Sequence, residues 1–298
     1  MLSLFLSFRG EIAALGAALM WAIASFLFAG LSRFTSPLWL NLSKSSMAIG
    51  FILLTLVLRR DASPQLSLTE LSLLSLSGAI GIGFGDSMFF QTLFCLGARR
   101  TLLLEAIAPP LSAFLAVLFL QEQLALWDWL GIVLTIAGVV WVMLERTPEQ
   151  QGDLRLGPGI LAGLLAAFAQ AGGAVLSRSA LAATSVSPLW SAFVRLSAGV
   201  AVLLIWLTLK RKSWQQLQPL QSKNLFVFAV AAFTGTYLGI WLQQTALKYT
   251  ATGIAQALTS TSPLFILPIA LIGGDRVSLR AILGAVVALA GIWLLFAN

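Results

Sequence analysis

The sequence predicts an all-α integral membrane protein, with ten transmembrane helices arranged as two inverted five-helix repeats. Three observations lead there. Of the 298 residues, 59% are apolar and 10% charged, against about 45–50% and about 25% in soluble domains. The apolar residues fall into ten blocks, each close to the ~20 helical residues needed to cross ~30 Å of hydrocarbon. The second set of five blocks repeats the first.

Taken in order, the first-half spans are expected at 11–31, 37–58, 71–95, 102–120 and 127–145. Within the first, Ala22-Ile23-Ala24 has the small-residue form of a signal cleavage site, but an apparent twin in the second half marks the segment as retained. The second opens on Pro37-Leu38-Trp39 and carries Lys44, and the third carries Asp86 and Gln91 behind alternate glycines at 81, 83 and 85. Glu105 and Pro110 lie in the fourth, Gly131 and Gly138 in the fifth. The longest polar break, Arg146 through Leu156, falls midway. Residues 1–146 and 157–298 are therefore read as the two repeats, and 147–156 as their linker.

The second-half spans are expected at 158–178, 187–209, 224–246, 253–272 and 279–297. At an offset of 151, Pro188-Leu189-Trp190 repeats Pro37-Leu38-Trp39 and Arg195 falls on Lys44. Further along the offset is 153, pairing Gln91-Thr92 with Gln244-Thr245, Pro110 with Pro263, Glu122 with Asp275, Gly131 with Gly284 and Gly138 with Gly291. Five is odd, so the second repeat enters the membrane from the opposite side. Inverted repeats characterise many secondary transporters, whose site lies near the midplane between the repeats. Duplication also records ancestry, so a non-transport membrane scaffold or accessory protein is the alternative.

Composition excludes several chemistries. The chain has no histidine, and Cys95 is its only cysteine, which removes an imidazole relay, a zinc site of the usual ligands and an intramolecular disulfide. No Ser/His/Asp or Cys/His set and no phosphate-binding glycine loop is present. The chain is accordingly read as a non-enzyme with no metal and no cofactor. Most of the net charge of +7 lies at span ends, where it meets lipid headgroups. Membrane lipid and a small-molecule solute are the expected partners, nucleic acid is not, and a homo-oligomer is left open.

Spans four and five, IAPPLSAFLAVLFLQEQLALWDWLGIVLTIAGVVWV, join a proline-bearing helix, an acidic residue after it and a helix with glycines seven apart. TSPLFILPIALIGGDRVSLRAILGAVVALAGIWLLF repeats the pattern. This resembles the EamA-type transporters of the drug/metabolite transporter superfamily, and the basic residues Lys44 and Arg195 also fit. Lysine at the first of these positions, and Asp275 in place of glutamate, depart from the family's usual choice while keeping the charge. The resemblance covers nearly the whole chain. It implies a ten-helix carrier that exports or exchanges small metabolites, amino acids among them, and a place in the plasma (inner) membrane of a prokaryote.

A charge deep in a span must face protein or water and usually has a partner. Lys44 and Arg195 each stand seven residues after a helix-opening proline, about 10 Å along. They are balanced between anchoring and substrate contact. Asp86 and Glu105 carry the opposite sign, so the four sum to zero and fit internal pairing as well as function. Asp86 is the candidate to take up a coupling proton, with Glu105 as its substitute. Gln91 and Gln244 form a symmetric pair of binding candidates, Gln170, Gln243 and Tyr237 add uncharged donors and acceptors, and Trp241 is a candidate cavity wall. Pro110 and Pro263 are candidate gating points, with a static kink as the plainer reading. The N-terminal side collects five span-end cations and the other side eleven. The positive-inside rule places both termini outside, whereas the resemblance places them inside.

Overall fold

The computed structural model describes residues 7–29, 37–60, 66–144, 155–182, 184–209, 222–265 and 279–297. Asp275, Pro268, residues 147–154 of the central linker and the span-end cations Arg33, Arg146, Lys210, Arg211, Lys212 and Arg276 lie outside the described residues. The described elements are helices: α1 (Arg9–Ala29), α2 (Pro37–Arg59), α3 (Leu68–Gly78), α4 (Asp86–Glu105), α5 (Ala108–Leu120), α6 (Leu126–Met143), α7 (Leu156–Leu181), α8 (Pro188–Leu209), α9 (Ser222–Ala231), α10 (Gly239–Tyr249), α11 (Thr252–Thr259) and α12 (Leu279–Ala297). A π-helical turn joins α3 to α4 and another joins α9 to α10.

Eight described helices are long and apolar enough to cross a membrane, among them Leu38–Arg59, Leu68–Leu96, Leu156–Leu181 and Asn224–Tyr249. The 21-residue α1 stands where the first span is expected, and α11 begins where the ninth is. Local chemistry sets several starts. Ser67 and Glu70 close a reciprocal capping box at α3, with Glu70 Oε2 accepting from Ser67 N at 2.7 Å, which satisfies donors that the first helical turn leaves free. Asp128 acts similarly for α6 by accepting from Ala125 N at 2.8 Å.

The packing pairs follow a pseudo-twofold. Helix α1 packs on α10 and its π turn, and the repeat-related α7 packs on α4, α3 and theirs. Helix α2 packs on its counterpart α8, α5 on α11 and α6 on α12. Without a hydrophobic force between helices in lipid, close approach through small residues holds such pairs. The signature glycines do this for α6 and α12. A methyl on Gly131 would sit 2.7 Å from Leu295 Cδ2 and one on Gly291 2.6 Å from Thr135 Oγ1, while Gly138 and Gly284 each face the other's carbonyl.

The passage from the third span to the fourth falls where the sequence places it. The spans predict a break at 96–101, and the apolar spans divide there, Leu68–Leu96 from Arg100–Leu120, although helical bonding continues through Asp86–Glu105. A methyl on Gly163 would nonetheless lie 3.1 Å from both Thr92 Cγ2 and Leu104 Cβ, residues that a straight helix would hold ~18 Å apart. The chain therefore doubles back inside α4. A further interruption, inside the fourth span, comes at Ala106–Ile107, just before Pro109 and Pro110 at the start of α5, because two residues without N–H cannot continue the ladder. The second half breaks likewise at Ser260–Thr261, ahead of Pro263. There Ser262 Oγ donates at 3.1 Å to Thr259 O, the carbonyl that Pro263 cannot bond.

Candidate substrate and coupling site

The two π turns span Ala79–Gly85 and Ala232–Leu238, an offset of 153 at both ends. Such turns are rare and concentrate at functional sites. The first is built around glycines because other backbones lie against it. A methyl on Gly78 would collide with the Arg195 backbone, and one on Gly83 would lie 2.9 Å from Val202. A methyl on Gly81 would stand 3.2 Å from Arg195 Nη2 and 3.6 Å from Gln170 Oε1. Spans three, six and seven thus meet at this turn, fastened by Ser77 Oγ donating to Gly173 O at 2.5 Å.

The four deep charges gather round Asp86, the residue that follows the first π turn. Lys44 Nζ donates to Asp86 Oδ2 at 2.7 Å, with side-chain exposures of 11% and 24%. Asp86 also lies within coulombic reach of Arg195 and of Glu105. Beside Lys44, Asn41 Nδ2 donates to Ile82 O at 3.1 Å, using a carbonyl of the π turn. Arg195 is 2% exposed, and its Nε and Nη1 are buried with no hydrogen-bond partner among the described residues. Glu105 ends α4 at the break before α5, and its Oε1 is likewise buried and bare.

The uncharged candidates divide. Gln244 is fully buried; its Oε1 accepts from Ser191 Oγ at 2.8 Å, and its Nε2 has no partner among the described residues. Gln91 is exposed and donates to Cys95 Sγ at 3.4 Å on its own helix. Gln243 and Gln256 bond each other at 3.3 Å. Tyr237 is buried, its hydroxyl 2.7 Å from Thr55 Oγ1; because Thr55 itself donates to Phe51 O, the tyrosine donates here. The rings of Tyr237 and Trp241 are 5.8 Å apart, and those of Phe233 and Phe51 flank Tyr237 at 5.1 and 6.0 Å. Pro110 and Pro263 each lie in the first helical turn after the interruption in their span.

Sequence reasoning missed the partners more than the principals. Ser191 stands one turn before Arg195, a spacing that could have flagged it. Asn41 stands three residues before Lys44. Nothing in the sequence links Thr55 to Tyr237.

A second polar network joins the signature acid Glu122 to the span-end cation Arg178. Glu122 Oε1 accepts from Arg178 Nε at 2.7 Å and Thr252 Oγ1 at 3.2 Å, while Oε2 accepts from Thr252 N at 2.8 Å. Arg178 Nη1 donates further to Leu247 O and Lys248 O, both at 2.9 Å. Lys248 Nζ donates to Thr184 O and Val186 O. One carboxylate thereby ties the ends of spans four, six, eight and nine on the N-terminal side. There too Thr250 Oγ1 donates to Glu11 Oε1 at 2.6 Å, and the Arg9 guanidinium sits 3.3 Å from the Tyr249 ring centroid.

The model of the EamA-like transporter family matches residues 8–144 and again 157–297. No curated protein matches the chain. A solved crystal structure shares the fold with a TM-score of 0.76 at 17% identity, covering 96% of this chain and 96% of that one.

Proposed function

The chain belongs to the EamA-like transporter family, in the drug/metabolite transporter superfamily, and from that premise we propose that it is a secondary carrier which exports or exchanges small organic metabolites, such as amino acids, by alternating access. One observation carries this reading: four ionisable side chains from both repeats gather at a π turn and an interrupted helix. Broken helices near the midplane, with polar groups at the repeat interface, are how such carriers build solute sites. Charges that deep are expensive, which argues for a role beyond packing.

The roles divide by partner. Asp86 and Lys44 form the coupling pair: a proton on Asp86 removes the charge that holds Lys44, so proton uptake and release of the lysine are one event. Arg195, Gln244 and Glu105, with bare polar atoms, face the solute, and Tyr237 and Trp241 wall it. Gln91 is the outlying member of the set. Pro110 and Pro263 give spans four and nine their bend points. The Glu122 network keeps the N-terminal side shut and parts when the bundle rocks. The ten-span count, the two repeats meeting at 147–156 and a prokaryotic inner membrane complete the reading.

The test compares extracellular metabolites from cells making the intact chain or its Asp86→Asn variant at matched membrane levels, at two external pH values. The intact chain should enrich one solute outside, with a pH dependence that the variant loses. Identical metabolite profiles with and without the chain would instead support the scaffold reading.

A further inference from the structure

Among the described residues, every buried side-chain polar atom left without a partner on spans seven and eight is a donor: Trp190 Nε1, Arg195 Nε, Arg195 Nη1 and Gln244 Nε2. Two of these residues are neighbours. Ser191 lies one helical turn before Arg195, about 5–6 Å away between Cβ atoms, and its hydroxyl holds Gln244 Oε1 at 2.8 Å. That bond leaves the Gln244 amide nitrogen without a partner among the described residues. Bare donors inside a membrane protein are costly, and a bare guanidinium more so.

The repeat explains why the acceptor is missing. Lys44 is neutralised by Asp86 of the next span at 2.7 Å. Carried into the second repeat, Lys44 becomes Arg195 at an offset of 151, and Asp86 becomes Gly239 at an offset of 153. Gly239 faces the Trp21 indole, and a methyl there would lie 2.5 Å from Trp21 Nε1. The second repeat has the cation without its counter-ion.

Resting on the transport reading above, we propose that the solute supplies this counter-ion: Arg195 seats an organic monocarboxylate in a fork of Nε and Nη1, with Gln244 Nε2 donating beside it. Guanidinium matches carboxylate geometry with two parallel donors. A dianion fits less well, because Lys44 is already neutralised and Asp86 repels excess negative charge. Leu189, Leu196, Tyr237 and Ile240 pack around the same two spans, so the carboxylate carries an apolar body. Asp86 already has Lys44, and the bare Glu105 Oε1 can accept from any solute donor, so an amino group on the solute is not required.

The test is thermal unfolding of the detergent-solubilised full-length protein with three probes that share one ring: 3-phenylpropionate, phenethylamine and phenylphosphonate. The carboxylate should raise the melting temperature saturably, the amine should not, and the phosphonate should need at least ~10-fold more ligand. Arg195→Gln should weaken 3-phenylpropionate by at least ~30-fold, Gln244→Leu by about 10-fold, and Arg195→Lys should restore part of the binding. Should Arg195→Gln not fold, the lysine and Gln244 variants carry the test. Stabilisation by phenethylamine equal to that by 3-phenylpropionate, a carboxylate shift that survives the Arg195→Gln substitution, or no shift from 3-phenylpropionate, hexanoate or 4-methylpentanoate would each overturn the assignment. Carboxylate binding without any solute flux leaves the seat standing and fails the transport reading; flux with amine-selective binding does the reverse.

Discussion

Lys44 and Arg195 hold the same place in the two repeats and live in opposite circumstances. Lys44 has a carboxylate at 2.7 Å; Arg195, 2% exposed, has two bare nitrogens and stands against a π turn of the other repeat. One substitution in the duplicated frame separates them, an acid at 86 and a glycine at 239. The frame supplies two deep cations related by the pseudo-twofold, and divergence at a single position turns one into a closed pair and leaves the other with bare donors, the seat proposed for the solute. A site made this way sits at the repeat interface without any loop or added domain.

The largest effect expected from this contrast is on flux. Arg195→Gln removes the charge while keeping most of the volume, and solute export at matched membrane levels should fall by at least ~100-fold, the scale at which truncating a buried charge contact acts on binding. If export persists within a few-fold, the open cation is only a structural anchor and the contrast loses its functional meaning.

Next comes the closed pair. Asp86→Asn leaves Lys44 buried with no negative partner, for which a loss of about 3–5 kcal/mol is typical. Replacing both, as in Lys44→Met with Asp86→Leu, should cost far less in stability, because no charge is stranded. Thermal melts of the single and double variants measure the coupling. Additive losses would mean that the 2.7 Å contact contributes nothing as a pair.

What the sequence made legible and what it did not have physical reasons. The spans and their register could be read because lipid demands long apolar helices and because the repeats have kept signature residues such as Pro110 and Pro263 at one offset. Lys44, Asp86, Glu105 and Arg195 stood out because charge is rare in such segments. Less visible was the π turn before Asp86. A wide turn inserts a residue and rotates all that follows by ~100°, which hydropathy does not record. The reversal between spans three and four was legible, but not the helical bonding that persists through it, since the apolar pattern shows where the chain is buried and says little about where backbone bonds persist round a bend. Glu122 was recognisable as a signature acid, but its partners Arg178 and Thr252 come from distant spans, and only the fold reveals them.

A third variant sharpens the comparison through its sign. A buried, bare guanidinium destabilises the unliganded fold, so Arg195→Met, which keeps the apolar stem, should raise the melting temperature of the ligand-free protein by an amount equivalent to ~1–3 kcal/mol. Lys44→Met should lower it, because Asp86 is then stranded. Opposite shifts from the same chemical change at repeat-related positions would separate a cation that the fold neutralises from one that it leaves to the solute. Shifts of the same sign would place both in one class.

The smallest effect concerns the repeat-related glutamines, where the same logic applies without charge. Gln244 is held by Ser191. The position related to Ser191 at the offset of 151 is Leu40, which offers no hydrogen bond, and Gln91 turns instead to Cys95 on its own helix. Gln244→Leu should therefore raise the solute concentration for half-maximal export by about 10-fold, as loss of one buried donor does, with Ser191→Ala following in the same direction. Gln91→Leu should change it by less than about twofold, since an exposed amide exchanges one set of weak contacts for another. Equal effects at the two positions would mean that the solute reaches both repeats alike, and the asymmetry drawn from Asp86 and Gly239 would have to be confined to charge.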